Sequence, residues 1–403
     1  MDSVENIIND LLERMAGRLE AIEYEYLRQA GETLKWIMSQ QQGSPAEFMG
    51  FLTTQEYQER IMADLQKIQH YLSGAVSVGM GDLESTSKRL VATIHDMGQE
   101  WATLKNRSIS PAAAYHVMIT PLVRKTMRDY SIMAKSTAVS THYKNTIRGF
   151  VERIARGGPE ATTGPAAMRA AVTELSDQGI SIVHYAGKGK QPYSRRLDSS
   201  VRVAISGEYS QIVDQIQTRL GEEVGFDARE ITVETACAYD HLTVQGKVFD
   251  LENWELLQAG EVATDTEGET HLLDKRAIGQ FNCRHIGMNF MLGVSEPSYS
   301  REELDRVNNR NKEGIEFDGE KMSLYSATQW QRRNETEQRR VRGAREVLYP
   351  FRNDPQFKAE YKEYGARIKA LDTSYKRMGQ ALEPHAIIMK PGRKYNINAR
   401  GNR

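Results

Sequence analysis

Cysteine is almost missing from this chain: there are two in 403 residues. So sparse a supply excludes a disulfide-built secreted scaffold and points to a reducing compartment. Net charge is missing as well, the formal value being −1. That excludes a whole-molecule field drawing the chain to nucleic acid or a membrane, and leaves any such partner to a local patch. No apolar run approaches the roughly 18 residues of a membrane span. The opening residues, Met1-Asp2-Ser3-Val4-Glu5, carry acid where a signal peptide needs base. These lacks together predict a chain made in the cytoplasm. Around Gly187-Lys188-Gly189-Lys190 there is neither the third glycine of a dinucleotide fingerprint nor the lysine-serine ending of a P-loop, so that segment reads as an exposed basic turn.

What is present is a polar, soluble composition, 39% hydrophobic and 27% charged, long enough for two or three domains and a sizeable core. In the first part, Val4, Ile7, Ile8, Leu11, Leu12, Met15 and Leu19 recur at steps of three and four, which lines one apolar stripe on a helix. Tyr57, Ile61, Leu65, Ile68 and Leu72 repeat the pattern, and Leu90, Ile94, Met97, Trp101 and Leu104 repeat it again. Gly43-Ser44-Pro45, the glycines at 74, 79 and 81, and Ser110-Pro111 are expected to separate these helices. Ala112 to Ile154 reads as a further helical stretch, ending before a boundary of glycine and proline at 157–165.

Ala166 to Leu175 predicts a helix and Ile180 to Tyr185 a short strand. Asp198 is placed to cap a helix whose inner face is Val201, Ala204, Ile212, Ile216 and Leu220, although Val201 to Ile205 also fits a strand. Beyond residue 299, Ser300 and Glu303 form a capping box, and Asn308-Asn309-Arg310-Asn311 with Gly314 predicts a loop. Tyr325 to Val347 predicts a polar helix carrying Arg332, Arg333, Arg339, Arg340, Arg342 and Arg345, and Asp354 to Leu382 a last helix. The arginines do not share one face and lie among glutamates, which reads as ion pairing rather than nucleic-acid contact. The tail after Glu383 is different: Lys390, Arg393, Lys394, Arg400 and Arg403 have no acid beside them, a composition that can follow a phosphate backbone without reading bases.

The centre of the chain, from Glu234 to His285, holds both cysteines. It contains Cys237, His241, Gln245-Gly246-Lys247-Val248-Phe249 and Asn282-Cys283-Arg284-His285, with strand and turn signals between. The expected architecture is α+β: a long helical N-terminal arm over 1–156, a mixed core with a β-rich excursion over 157–299, and a helical C-terminal region with a basic tail over 300–403.

In order, His241, Gln245-Gly246, and Asn282-Cys283-Arg284-His285 resemble the paired signatures of the phage minor capsid protein family, relatives of the Mu F-like head morphogenesis proteins. Gly179-Ile180, Val201-Arg202, Tyr299-Ser300, Tyr325, Gln329, Gln331-Arg332 and Glu337 extend the likeness over roughly residues 140 to 350. Ala238 departs from it, standing where many relatives have arginine. The resemblance implies a structural, non-enzymatic minor head protein of a tailed phage, made in the host cytoplasm and carried in the virion. It implies several copies at the portal vertex, with the portal protein and capsid components as partners and an association with DNA packaging or delivery; double-stranded DNA, met without sequence preference, is the partner the basic tail suggests. The apolar stripes between Val4 and Leu104 are then the surface expected to dock on the portal.

The residues themselves leave three chemistries open at the centre. Cys237, His241, Cys283 and His285 give C-x3-H and C-x-H, four donors of the zinc-binding types at a spacing unlike that of a standard finger. Packing is the favoured alternative, with thiols and imidazoles hydrogen-bonded about a turn and no cofactor; a Cys237–Cys283 disulfide is the third. Cys283 with His241 or His285 and Asp240 also has the makings of a nucleophile, base and orienter, but no oxyanion element accompanies them. Asp265, Glu267 and Glu269 alternate with Thr266, Gly268 and Thr270, which reads as a solvated turn rather than a nuclease metal site. No catalytic residues are expected.

Overall fold

Where the sequence sets an apolar residue every three or four positions, the chain is helical and turns that stripe inward. The computed structural model describes residues 4–40, 44–135, 138–155, 164–184, 193–273, 277–279 and 283–385. Helix α1 (Val4–Ser39) continues its buried stripe beyond Leu19 through Leu27, Leu34 and Ile37. A short α2 (Pro45–Gly50) starts on a Ser44–Glu47 capping box, and Thr54 caps α3 (Gln55–Leu104).

Helix α3 is 50 residues long and runs straight through Gly74, Gly79 and Gly81, which were expected to break it. Glycine in a helix costs only about 1 kcal/mol, an amount tertiary packing overrides. Gly79 shows how. A Cβ there would lie 2.6 Å from the Tyr130 ring, so the missing side chain is a notch for Tyr130 of α4 (Ala112–Ala134), whose hydroxyl donates to the Ala75 carbonyl at 3.2 Å. The stretch read as helical from Ala112 to Ile154 holds two helices, α4 and α5 (Ala138–Ala155), with Pro121 inside the first.

After α6 (Gly164–Gln178), strands β1 (Ser181–His184) and β2 (Tyr193–Arg196) pair antiparallel and lead into α7 (Leu197–Val224). Val201 to Ile205 is helical, not a strand. Arg196 occupies the N-cap position with no side-chain cap, and Asp198, expected to cap, sits in the first turn and is ion-paired with Arg339. Next comes a three-stranded antiparallel sheet with β3 (Ala228–Ile231) in the middle, flanked by β4 (Val248–Asp250) and β7 (Gly287–Phe290). Between the outer strands lie α8 (Leu251–Ala259) and a hairpin of β5 (Ala263–Thr264) and β6 (Thr270–His271).

Helix α9 (Arg301–Glu313) begins on the expected Ser300–Glu303 capping box and then runs through the asparagine-rich segment read from sequence as a loop. A hairpin of β8 (Ile315–Phe317) and β9 (Glu320–Met322) precedes α10 (Leu324–Leu348) and α11 (Lys358–Leu382). The chain is therefore α+β and rich in helix.

Helix α1 is an inner element. It packs against α3, α7 and α10, and at Gly31 it approaches α10 so closely that a Cβ would lie 2.0 Å from the Val347 carbonyl oxygen. One core cluster takes in Leu11 of α1, Ile61 of α3, Ile212 of α7 and Val347 of α10. The stripe expected to meet a portal is thus covered by the chain itself: Ile7 and Leu11 are 1% and 0% exposed.

Candidate functional site

The sheet sets up the centre of the molecule. Past the end of β3, Thr232 keeps the pairing with the strand-entry segment: its N–H donates to the Ile286 carbonyl and its Oγ1 accepts from the Ile286 N–H, both at 3.0 Å. The chain then folds into a knot of turns, with Cys237 N–H donating to the Glu234 carbonyl, His241 N–H to Ala238 and Gln245 N–H to His241. It returns to the sheet at Gly246, whose N–H meets the Ile231 carbonyl at 2.8 Å. Gly246 has φ +69°, and a Cβ there would lie 2.3 Å from Leu304 Cδ2 and 2.9 Å from Val233 Cγ2. Both the backbone conformation and the space require glycine.

This return places His241 against the segment that enters β7. Cys283 Sγ lies 3.3 Å from Nδ1 of His241 and 3.3 Å from Nδ1 of His285, and the two imidazoles meet edge to face with centroids 5.4 Å apart. Cys283 and His285, two apart on extended backbone, point to one side as the Cys-x-His spacing requires. All three side chains are buried, at 1% (His241), 5% (Cys283) and 4% (His285) exposure.

Gln245 ties this cluster to the rest. Its Oε1 accepts from the Glu234 N–H at 2.9 Å, which fixes the amide orientation, and the same oxygen faces His285 Nε2 at 3.3 Å. His285 Nε2 must then carry a proton, leaving Nδ1 with a lone pair turned toward the sulfur. Gln245 Nε2 donates to Asn308 Oδ1 at 2.6 Å, and Asn308 Nδ2 to the Leu242 carbonyl at 3.1 Å. One turn on in α9, Asn311 donates to the Cys237 carbonyl at 2.8 Å and accepts from the Tyr325 N–H at 3.0 Å. These bonds explain why Asn308 and Asn311 are helical: their side chains serve distant backbone groups instead of competing for their own. Sequence reading missed both residues and Thr232. The signal for the asparagines was there, because a three-residue spacing puts them on one face of a helix.

Other expected site residues are distributed differently. Cys237 is buried and is not part of the converging group formed by His241, Cys283 and His285; its Sγ donates to the Ala238 carbonyl at 3.2 Å. The four-donor set read from sequence is therefore a three-donor set, and the two cysteines are not joined in a disulfide. Arg284 is exposed and faces Glu5 of α1, whose carboxyl is held above its usual range by burial, opposed by a hydrogen bond from Thr232 and by the Arg284 charge. Asn282, and the basic residues Lys390, Arg393, Lys394, Arg400 and Arg403, lie outside the described residues.

The acidic run is not a solvated turn throughout. Asp265 is buried and accepts from His271 Nε2 at 2.9 Å and from the backbone N–H groups of Glu267 and Glu269 at 2.9 and 3.0 Å. Lys247 Nζ lies 3.4 Å from it. Burial raises this carboxyl, but the His271, Glu269 and Glu267 hydrogen bonds and the Lys247 charge together bring it below the ordinary aspartate value. Among the arginines of α10, Arg339 is engaged within the chain with Asp198, Arg340 with Glu337 and Asp177, Arg342 with Asp372, and Arg345 over the Tyr361 ring.

No curated protein and no solved structure matches the chain. A family model described as phage minor capsid protein 2 matches residues 9–374, a span that contains the whole sheet, the Cys283 cluster and α10. With that match along well over half of its length, the chain belongs to the phage minor capsid protein 2 family.

Proposed function

We propose that this member of a capsid protein family is a structural, non-enzymatic component placed near the portal vertex of a tailed-phage head, acting in head assembly, DNA packaging or delivery. The observation that carries the reading is the state of the motif residues. His241, Gln245, Cys283 and His285 are buried and bonded to one another and, through Asn308, to α9. Burial and mutual hydrogen bonding favour packing over turnover, since a network closing on itself fixes the geometry of a sheet and a helix. The motif therefore serves the fold, and the function lies in surfaces offered to other head components. Co-expression with the portal protein of the same phage tests this: the account expects the two to co-purify through a high-salt wash and size exclusion. Portal eluting free of the chain would overturn the portal placement.

A second role, sequence-independent binding of double-stranded DNA, rests on the acid-free tail after Glu383. The internal pairing of Arg339, Arg340, Arg342 and Arg345 favours that tail over α10 as the contact. If it neutralises three to five phosphates, log affinity should fall against log salt with a slope of about −3 to −5. Removing residues 390–403 should flatten the slope, and an unchanged slope would exclude the tail.

A further inference from the structure

We propose that His241, Cys283 and His285 bind one zinc ion, through Nδ1, Sγ and Nδ1 respectively, and that the ion staples the return of the 232–246 segment to the segment that carries His285 into β7. Two imidazoles and a thiol converge here from separate parts of the chain, with the candidate donor atoms all within 4.8 Å of one another. Tetrahedral zinc, with bonds of about 2.0–2.1 Å to nitrogen and 2.3 Å to sulfur, sets its nitrogen and sulfur ligands about 3.5 Å apart. The two observed N···S separations are each 3.3 Å. The donor set selects the metal class: imidazole with thiolate suits zinc and disfavours magnesium and calcium, which take oxygen.

The surroundings fit a ligand role as well. His285 turns its Nε2–H to Gln245 Oε1, the carbonyl contact that fixes tautomer and ring orientation in metal-bound histidines. That turns Nδ1 of His285 to the Cys283 side, 3.3 Å from the sulfur. Binding converts the Cys283 S–H to thiolate and releases its proton to solvent, while the histidines bind as neutral rings. Cys237 stays outside the set.

The test uses the full-length chain, purified without chelator. Elemental analysis should give about one zinc per chain, and cobalt exchanged for zinc should show a thiolate-to-cobalt charge-transfer band in the near ultraviolet. Cys283→Ser should abolish the band and lower bound metal at least tenfold. Gln245→Leu should weaken zinc affinity by about 10- to 100-fold, and Cys237→Ser should retain both metal and band. Metal-free wild-type protein that acquires no cobalt band on titration would overturn the proposal, as would a Cys283→Ser protein that keeps its zinc. Loss of metal from Cys237→Ser would overturn the three-ligand assignment.

Discussion

Gly246→Ala is the sharpest probe of how the motif works, because two separate penalties meet at one atom. At φ +69° an alanine carries a steric cost of about 1 kcal/mol or slightly more. The added Cβ would also sit 2.3 Å from Leu304 Cδ2, and forcing a methyl into such a contact costs about 1–3 kcal/mol. Together they should lower the local opening free energy of this turn by about 2–4 kcal/mol, so that protected amides there exchange roughly 30- to 1,000-fold faster. The reporters are the N–H groups of Gly246 and Lys247, bonded to the Ile231 and Val244 carbonyls. Native-state hydrogen exchange read by mass spectrometry suits a chain of this length, for which a single unfolding free energy is poorly defined. Combining Gly246→Ala with Leu304→Ala should remove the clash and leave the backbone cost, so the pair should destabilise by about 1–3 kcal/mol less than the sum of the singles. Exchange in Gly246→Ala within about threefold of the parent would refute the argument.

Three further outcomes follow from the core and the hairpin. Asp64, buried between α1, α3 and α5, accepts from Gln29 Nε2, Thr33 Oγ1 and Tyr143 OH at 2.7, 2.5 and 2.6 Å. Asp64→Ala strands three buried donors and should cost about 3–6 kcal/mol, seen as a large fall in thermal midpoint; a fall no greater than that of a surface substitution would count against the network. Asp265 has a folded-state pKa below its unfolded value, so its stabilisation is present above the unfolded pKa of about 4 and is lost as pH falls through the folded one. Exchange protection of the β5–β6 hairpin should therefore drop below about pH 4 and lose that pH dependence in Asp265→Asn. Ile7→Asp with Leu11→Asp should destabilise the whole chain by several kcal/mol, since both positions lie in its own core; soluble, fully stable protein that merely fails to reach the portal would restore the docking role of that stripe.

The parts legible in sequence were those fixed by local spacing. Apolar steps of three and four gave α1 and the two ends of α3, the Ser300–Glu303 box gave the start of α9, and Cys-x-His placed Cys283 and His285 on one side of an extended segment. What stayed hidden was set by distant partners. Gly79 looks like a breaker until Tyr130 fills its notch, and Asn308 and Asn311 look like loop residues until their amides meet Gln245, the Leu242 and Cys237 carbonyls and the Tyr325 N–H. Cys237 matched His241 by spacing alone, and the turn after Glu234 directs its thiol to a carbonyl instead. The α1 stripe looked like surplus surface because the helices that cover it, α7 and α10, come more than a hundred residues later.

The central claim is that this chain is a built-in part of the phage head, and quantitative mass spectrometry of purified, DNA-filled particles tests it most directly. The account predicts peptides from across residues 9–374 in every preparation, at a fixed ratio to the portal protein and far below the major capsid protein, unchanged by nuclease and salt washing. Particles of normal composition and infectivity that lack the chain, or a ratio that falls toward zero with washing, would contradict it.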